Sequence, residues 1–259
     1  MDKLQLKNIQ MMFNSGTVNE TQIFNDFNLS IKEGQFVSVI GSNGSGKTTM
    51  LNLICGSLAP TSGSILLDGK SILELKEFER AKFIGRVFQD PSKGTSPAMT
   101  ILENMALADN KGNIFGLKRG INKRRKDYYR TLLEQLKLNL EDKLDVAVGA
   151  LSGGQRQAMS LLICTMTPIQ LLILDEHTAA LDPKTSERIM ELTDQLVREK
   201  NLTTLMVTHN LRYAVEYGNR LIMMNKGEAV IDAADEKKSQ LDTDYLVRKF
   251  SEISIELGN

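Results

Sequence analysis

Apolar and polar residues alternate over "KLQLK" at 3–7 and "FNLSI" at 27–31, and residues 3–12 and 22–31 read as two strands, with "TVNE" marking the turn region between them. "GQFVSVI" at 34–40 is instead a nearly continuous apolar run that ends at a glycine loop, the pattern of a strand buried on both faces. A helix follows from Lys47 to about Ser57. "GSILLDGK" at 63–70 reads as a strand closed by an Asp-Gly turn, and "IGRVFQD" at 84–90 as a further strand. From 91 to 165 the pattern changes: the loop "DPSKGTSPAMT" leads into helical periodicity through "ILENMALA" and "YYRTLLEQLKL", and we read a helical insert. Sheet character returns with "QLLILD", followed by a helix over 184–200, the strand "TTLMVT", a helix from 210 and two short strands over 219–232. In the tail, Leu246, Phe250 and Ile253 fall at helical spacing and predict a docked terminal helix.

Strands alternating with helices imply an α/β fold with a mainly parallel sheet, and the early strands add an antiparallel β subdomain at the N-terminus. The expected division is one domain of 259 residues. Its core with the β subdomain spans 1–90 and 166–232, the insert spans 91–165, and a helical tail spans 233–259.

Composition narrows the function classes. Hydrophobic residues make up 41% and charged residues 25%, the profile of a globular protein with a substantial core. Lys+Arg and Asp+Glu number 32 each, and this balance speaks against nucleic acid as the main partner. The basic stretch "LKRGINKRRKDYYR" at 117–130 reads as a solvated helix face before a patch for anionic lipid headgroups. Cys55 and Cys164 form no CxxC pattern and read as core thiols in a reducing compartment. "MDKLQLKNIQMMF" lacks the basic start and apolar block of a signal segment. The greasiest region, "AMSLLICTMTPIQLLIL", is broken by Thr165, Thr167, Pro168 and Gln170, so it reads as helix end, turn and strand. The expectation is a cytoplasmic chain, with any membrane-spanning helices supplied by another subunit.

"GSNGSGKT" at 41–48 fits G-x-x-x-x-G-K-[ST] between a strand and a helix, the context a phosphate cradle needs. Gly41, Ser42, Asn43, Gly44, Ser45 and Gly46 can turn backbone N–H groups around phosphate oxygens, while the helix N-terminus adds positive potential. Lys47 then reaches the β- and γ-phosphates of ATP, Thr48 offers a hydroxyl to Mg²⁺, and Thr49 is placed for the α-phosphate. "LLILDE" at 171–176 carries a buried strand to Asp175, a metal-holding carboxylate, and then to Glu176, positioned to orient or deprotonate the attacking water. His209 ends a neighbouring strand at the same carboxyl edge and reads as a γ-phosphate contact. His177 reads as a loop or hydrogen-bonding residue.

Together Lys47, Gln89, "LSGGQ" at 151–155, "LLILDE" and His209 resemble the ATP-binding cassette (ABC) family, in the family's order and over nearly the whole chain. The resemblance implies a P-loop NTPase core and an ATPase whose two copies pack head to tail around two ATP molecules. Ser152, Gly153, Gly154 and Gln155 would then lid the γ-phosphate bound by the partner copy, a neutral cradle for a charge already compensated by Lys47 and Mg²⁺. It further implies that Gln89 senses Mg²⁺ and the attacking water from a loop that meets the membrane partner. Asp182 of "TAALD" would cross the dimer seam, and Phe13 would lie against adenine unless it is simply a core aromatic. One residue departs from the pattern: His177 stands where the family usually has proline. "DEHTAALDP" with "VFQDPSKGTSPAMTI" looks like bacterial cassettes serving branched-chain-amino-acid-like permeases, some assigned to tryptophan or tyrosine uptake. The implied role is the energy-coupling subunit of an importer, with permease subunits and an extracytoplasmic binding protein as partners. The alternative is a soluble ABC ATPase acting on ribosomes or DNA. A nucleotide sensor that does not hydrolyse ATP is disfavoured by the presence of both Glu176 and His209.

Overall fold

The computed structural model describes residues 1–112 and 125–256, with side chains up to residue 252. In chain order the elements are β1 (Asp2–Phe13), β2 (Thr21–Lys32), β3 (Phe36–Gly41), α1 (Lys47–Cys55), β4 (Ser62–Leu67), β5 (Lys70–Ser71), α2 (Glu77–Arg80) and β6 (Ile84–Val87). They continue with α3 (Ile101–Asp109), α4 (Lys126–Glu134), α5 (Gly153–Thr165), β7 (Leu171–Asp175), α6 (Pro183–Glu199) and β8 (Thr204–Val207). The last are α7 (Leu211–Glu216), β9 (Arg220–Asn225), β10 (Glu228–Ala234), α8 (Glu236–Ser239) and α9 (Thr243–Glu256).

Two sheets form. The first, β2-β1-β4-β5, is antiparallel throughout. The second runs β10-β9-β3-β8-β7-β6, parallel except for the β9–β10 edge pair. β3 sits inside it with all six residues buried, which is why its sequence does not alternate. Even so, its side chains still divide between the faces. Val37 and Val39, with Ile173 and Leu205, pack toward the antiparallel sheet and α1, whereas Phe36, with Leu172, Leu174 and Met206, packs toward α5, α6 and the helices of the insert. The helical segments from 101 to 165 therefore share one core with the large sheet.

Local chemistry fixes the element ends. Asp68 and Gly69 both adopt positive φ (48° and 73°), the geometry of a tight hairpin turn. α1 stops at Gly56, whose N–H returns to Asn52 O from a left-handed conformation. α3 opens on a capping box, Thr100 with Glu103. Two expected boundaries move. β6 ends at Val87, so Phe88 and Gln89 belong to the following loop, and Asp90 caps a short turn there through Ser92 N (2.9 Å). β10 continues to Ala234, so the tail's first helix begins only at Glu236. In α9, Leu246 is fully buried and Phe250 packs beside it against the β9 side of the sheet. The side chain of Ile253 lies outside the described residues, as do residues 117–124 of the basic stretch. Its described remainder is paired: Arg125 with Asp109, Lys126 with Asp145 and Arg130 with Asp127. No helix among the described residues is long and apolar enough to cross a membrane.

Candidate functional site

β3 delivers the chain to the carboxyl edge of the parallel sheet, where the loop 41–46 turns it into α1. Gly46 holds the last turn position at φ 100°, and a Cβ there would lie 2.9 Å from the Phe24 ring, so no other residue fits. The Lys47 ammonium is folded into this loop, donating to Gly41 O and Ser42 O at 2.8 Å each. Burial lowers its pKa, against the opposing attraction of Glu176. Ser42, Asn43, Gly44 and Thr48 face solvent, while Thr49 is half-buried.

β7 and β8 run parallel in register, with Asp175 beside Val207, and both open onto the same edge. Glu176 follows in a left-handed conformation (φ 49°), its N–H donating to Val207 O at 2.9 Å. Its carboxylate meets His209: Nε2–H donates to Oε1 at 2.7 Å. Lys47, Glu176 and His209 are thus brought together as expected. Asp175 has a partner that the sequence reading missed. Arg86 Nη2 donates to Asp175 Oδ2 at 2.7 Å, and Nη1 donates to Asn52 Oδ1 at 3.0 Å. A basic residue inside the apolar run "IGRVF" was the available signal.

His177 turns away from the edge into the core. It is 2% exposed, and burial lowers its pKa to about 4, so the ring is neutral. Gln89 is exposed in the loop after β6, and the carbonyl of Phe88 beside it accepts from Gln157 Nε2 of α5 (3.1 Å). Phe13, at the end of β1, is half-buried against the core under the antiparallel sheet.

The turn at 151–155 has its own local logic. Ser152 is the N-cap of α5: its Oγ accepts from Gln155 N (3.3 Å), while Gln155 Oε1 accepts from Ser152 N (3.2 Å). S-x-x-Q is thus a capping box, a local role that its residue types and spacing already signal. The exposed Ser152 hydroxyl still has its proton to give outward. Gly153 and Gly154 lie against Leu181 and Thr185, so this turn is seated on the segment that opens α6. Asp182 caps α6, accepting from Thr185 N (3.1 Å), and that bonding lowers its pKa. Among the described residues, no hydrogen bond or ion pair joins 151–155 to the loop 41–48.

Comparison with known proteins places this arrangement. The sequence profile of the family described as "ABC transporter" matches residues 24–179. The chain is 49% identical over 247 residues to the "Tyrosine transport ATP-binding protein" of Clostridioides difficile (strain R20291), covering 95% of this chain and 98% of that one. It is 31% identical over 254 residues to the "Phosphonates import ATP-binding protein PhnC" of Lactococcus lactis subsp. lactis (strain IL1403), covering 95% and 99%. Among solved structures, the ADP conformation of MJ1267, an ATP-binding cassette of an ABC transporter, superposes with a TM-score of 0.80 at 26% identity, covering 98% and 99%. The dimeric post-hydrolysis state of the cassette MJ0796 bound to ADP and Pi gives 0.74 at 32%, covering 89% and 98%. The chain therefore belongs to the ABC transporter ATP-binding family, the ATP-hydrolysing subunits of transporters.

Proposed function

We propose that this ATPase acts as a head-to-tail homodimer that closes on two ATP molecules and drives import of an amino-acid-like solute, an aromatic one in keeping with the tyrosine transport relative. It works peripherally, on the cytoplasmic side of the membrane, bound to permease subunits that an extracytoplasmic binding protein supplies. The observation that carries this reading is the separation of two half-sites on one chain. Lys47, Glu176 and His209 gather at the phosphate loop, while the outward-facing Ser152 turn is bonded elsewhere and is free to cover a phosphate on a second copy.

In this reading the N–H groups of 41–46 and Lys47 bind the phosphates, and Thr49 contacts the α-phosphate. Phe13 lies beside adenine, and Gly153, Gly154, Gln155 and Asp182 line the seam. The residues fit Mg²⁺: the exposed Thr48 hydroxyl, the Asp175 oxygen left over by Arg86 and the Gln89 amide are all hard oxygen donors. When bound, Mg²⁺ neutralises phosphate charge. Glu176 takes the proton of the attacking water, and His209 moves its Nε2–H from Glu176 to the γ-phosphate.

Residues 1–90 and 166–232 act as the catalytic body, 91–165 as the insert that transmits motion, and 233–259 as the tail. A groove of 590 Å³ beside the Gln89 loop, walled by Phe88, Lys93, Leu107, Lys111 and Ile163, supports docking of the permease there.

The test is Glu176→Gln with MgATP. We expect slow turnover and a dimer on light-scattering chromatography; a monomer at high concentration overturns the composite site. Dimers mixed from Lys47→Ala and Ser152→Ala chains should retain about half of the activity through one intact site, whereas inactivity of each parent homodimer is expected.

A further inference from the structure

Glu176 sits in a conformation that costs an ordinary side chain on the order of 1 kcal/mol, so its turn must be held by what surrounds it. On one side β8 holds it, through the bond from Glu176 N to Val207 O. On the other side α6 holds the next two residues. Ser186 Oγ donates to Thr178 O at 3.0 Å, and the buried ring of His177 places Nε2 at 3.2 Å from Thr193 Oγ1. The direction of that second bond follows from Thr193 itself. Its hydroxyl has one proton, donated to Ile189 O at 2.7 Å, so it accepts from His177 Nε2–H. Both groups are buried, at 2% and 0% exposure, where a hydrogen bond is not exchanged for one to water.

We propose that His177 is a positioning residue for ATP hydrolysis: its Nε2–H bond to Thr193 ties the turn carrying Glu176 to α6 and so sets where the carboxylate points. The inference rests on the role given to Glu176 above. It also gives α6 a mechanical meaning. The helix runs from the cap at Asp182 to Glu199, so the same rigid rod that starts at the proposed seam holds the catalytic turn midway along its length.

The test compares His177→Leu, which keeps bulk but loses the donor, with His177→Gln, whose amide N–H can reach Thr193. Steady-state ATPase assays on the full chain should show kcat down about tenfold in His177→Leu, the rate equivalent of one buried hydrogen bond, with KM for ATP within about twofold. His177→Gln should recover most of the loss. Thr193→Val should mimic His177→Leu, Thr193→Ser should recover, and the His177→Leu/Thr193→Val double variant should be no slower than either single one. Wild-type kcat in both His177→Leu and Thr193→Val overturns the proposal. So does a loss that follows thermal stability alone and that His177→Gln and Thr193→Ser fail to recover. Should one variant fail to fold, the other pair decides. Glu176→Gln, run in parallel, separates the two readings: its rapid turnover overturns the role of Glu176, whereas wild-type rates in the tether variants beside an inactive Glu176→Gln overturn the tether alone.

Discussion

Gly154 offers a sharp test of how the Ser152 turn is seated on α6. A Cβ built at this position would lie 2.3 Å from Thr185 Cγ2, where an ordinary contact needs at least 3.4 Å. Gly154→Ala therefore forces α5 and the start of α6 apart by about 1 Å or twists Thr185 off its rotamer, an overpacking cost of about 1–3 kcal/mol. The next atoms of Thr185 are 3.7 and 3.9 Å away, so the conflict resides in a single methyl group. Thr185→Ser removes that methyl and leaves untouched the backbone N–H that Asp182 accepts from. In the Thr185→Ser background the same glycine-to-alanine change should become neutral or stabilising by up to about 1 kcal/mol, the helix-propensity gain of alanine over glycine. Urea unfolding of the four chains in the cycle, without nucleotide, gives each step. An equal loss from Gly154→Ala in both backgrounds would refute the argument, because the destabilisation would then owe nothing to the methyl contact.

The folded-state pKa of about 4 at His177 lies below its ordinary value, so the unfolded chain takes up this proton first as pH falls. Between pH 6.5 and 4 the wild type should lose about 3 kcal/mol more stability than His177→Gln, from 2.5 pH units at 1.36 kcal/mol each; parallel urea profiles would contradict this. Arg86→Met keeps the packing of the stem but strands Asp175, mostly buried at 18% exposure, and should cost about 2–4 kcal/mol by urea unfolding. Asp175→Asn should then cost less in the Arg86→Met background than in the wild type. Lys47→Ala should weaken ATP about 100-fold or more, the equivalent of a charge-assisted contact of about 3 kcal/mol, as read by fluorescent-nucleotide titration; unchanged affinity would remove Lys47 from the site.

Much of the fold was legible because its signals are local. The partial alternation in β1 and β2, the nearly continuous apolar run of β3 and the Asp-Gly turn each depend on a few neighbouring residues. The strand–loop–helix context of 41–48 and the strand end at "LLILDE" were legible for the same reason. What the sequence did not disclose is pairing between distant positions. Arg86 and Asp175 are 89 residues apart, and they meet because β6 and β7 are adjacent parallel strands. Nothing in "IGRVF" names a partner. The inward turn of His177 likewise depends on Thr193 facing it from α6. Strand ends follow the ladders rather than composition: β6 stops early at Val87, while β10 runs on to pair Ala234 with Arg220. Phe88 looks like a strand residue, but the β6–β7 ladder stops at Val87–Leu174, one residue short of the end of β7.

The ammonium of Lys47 ties two carbonyls of its own loop together. Under the proposed function this internal brace would spare a phosphate from having to collect a floppy segment. The phosphate would instead have to outbid those carbonyls for the cation, and capture would be an exchange of partners whose net gain is smaller than a new contact would give. Selectivity for a densely charged anion would follow, since a weak acceptor could not win that swap.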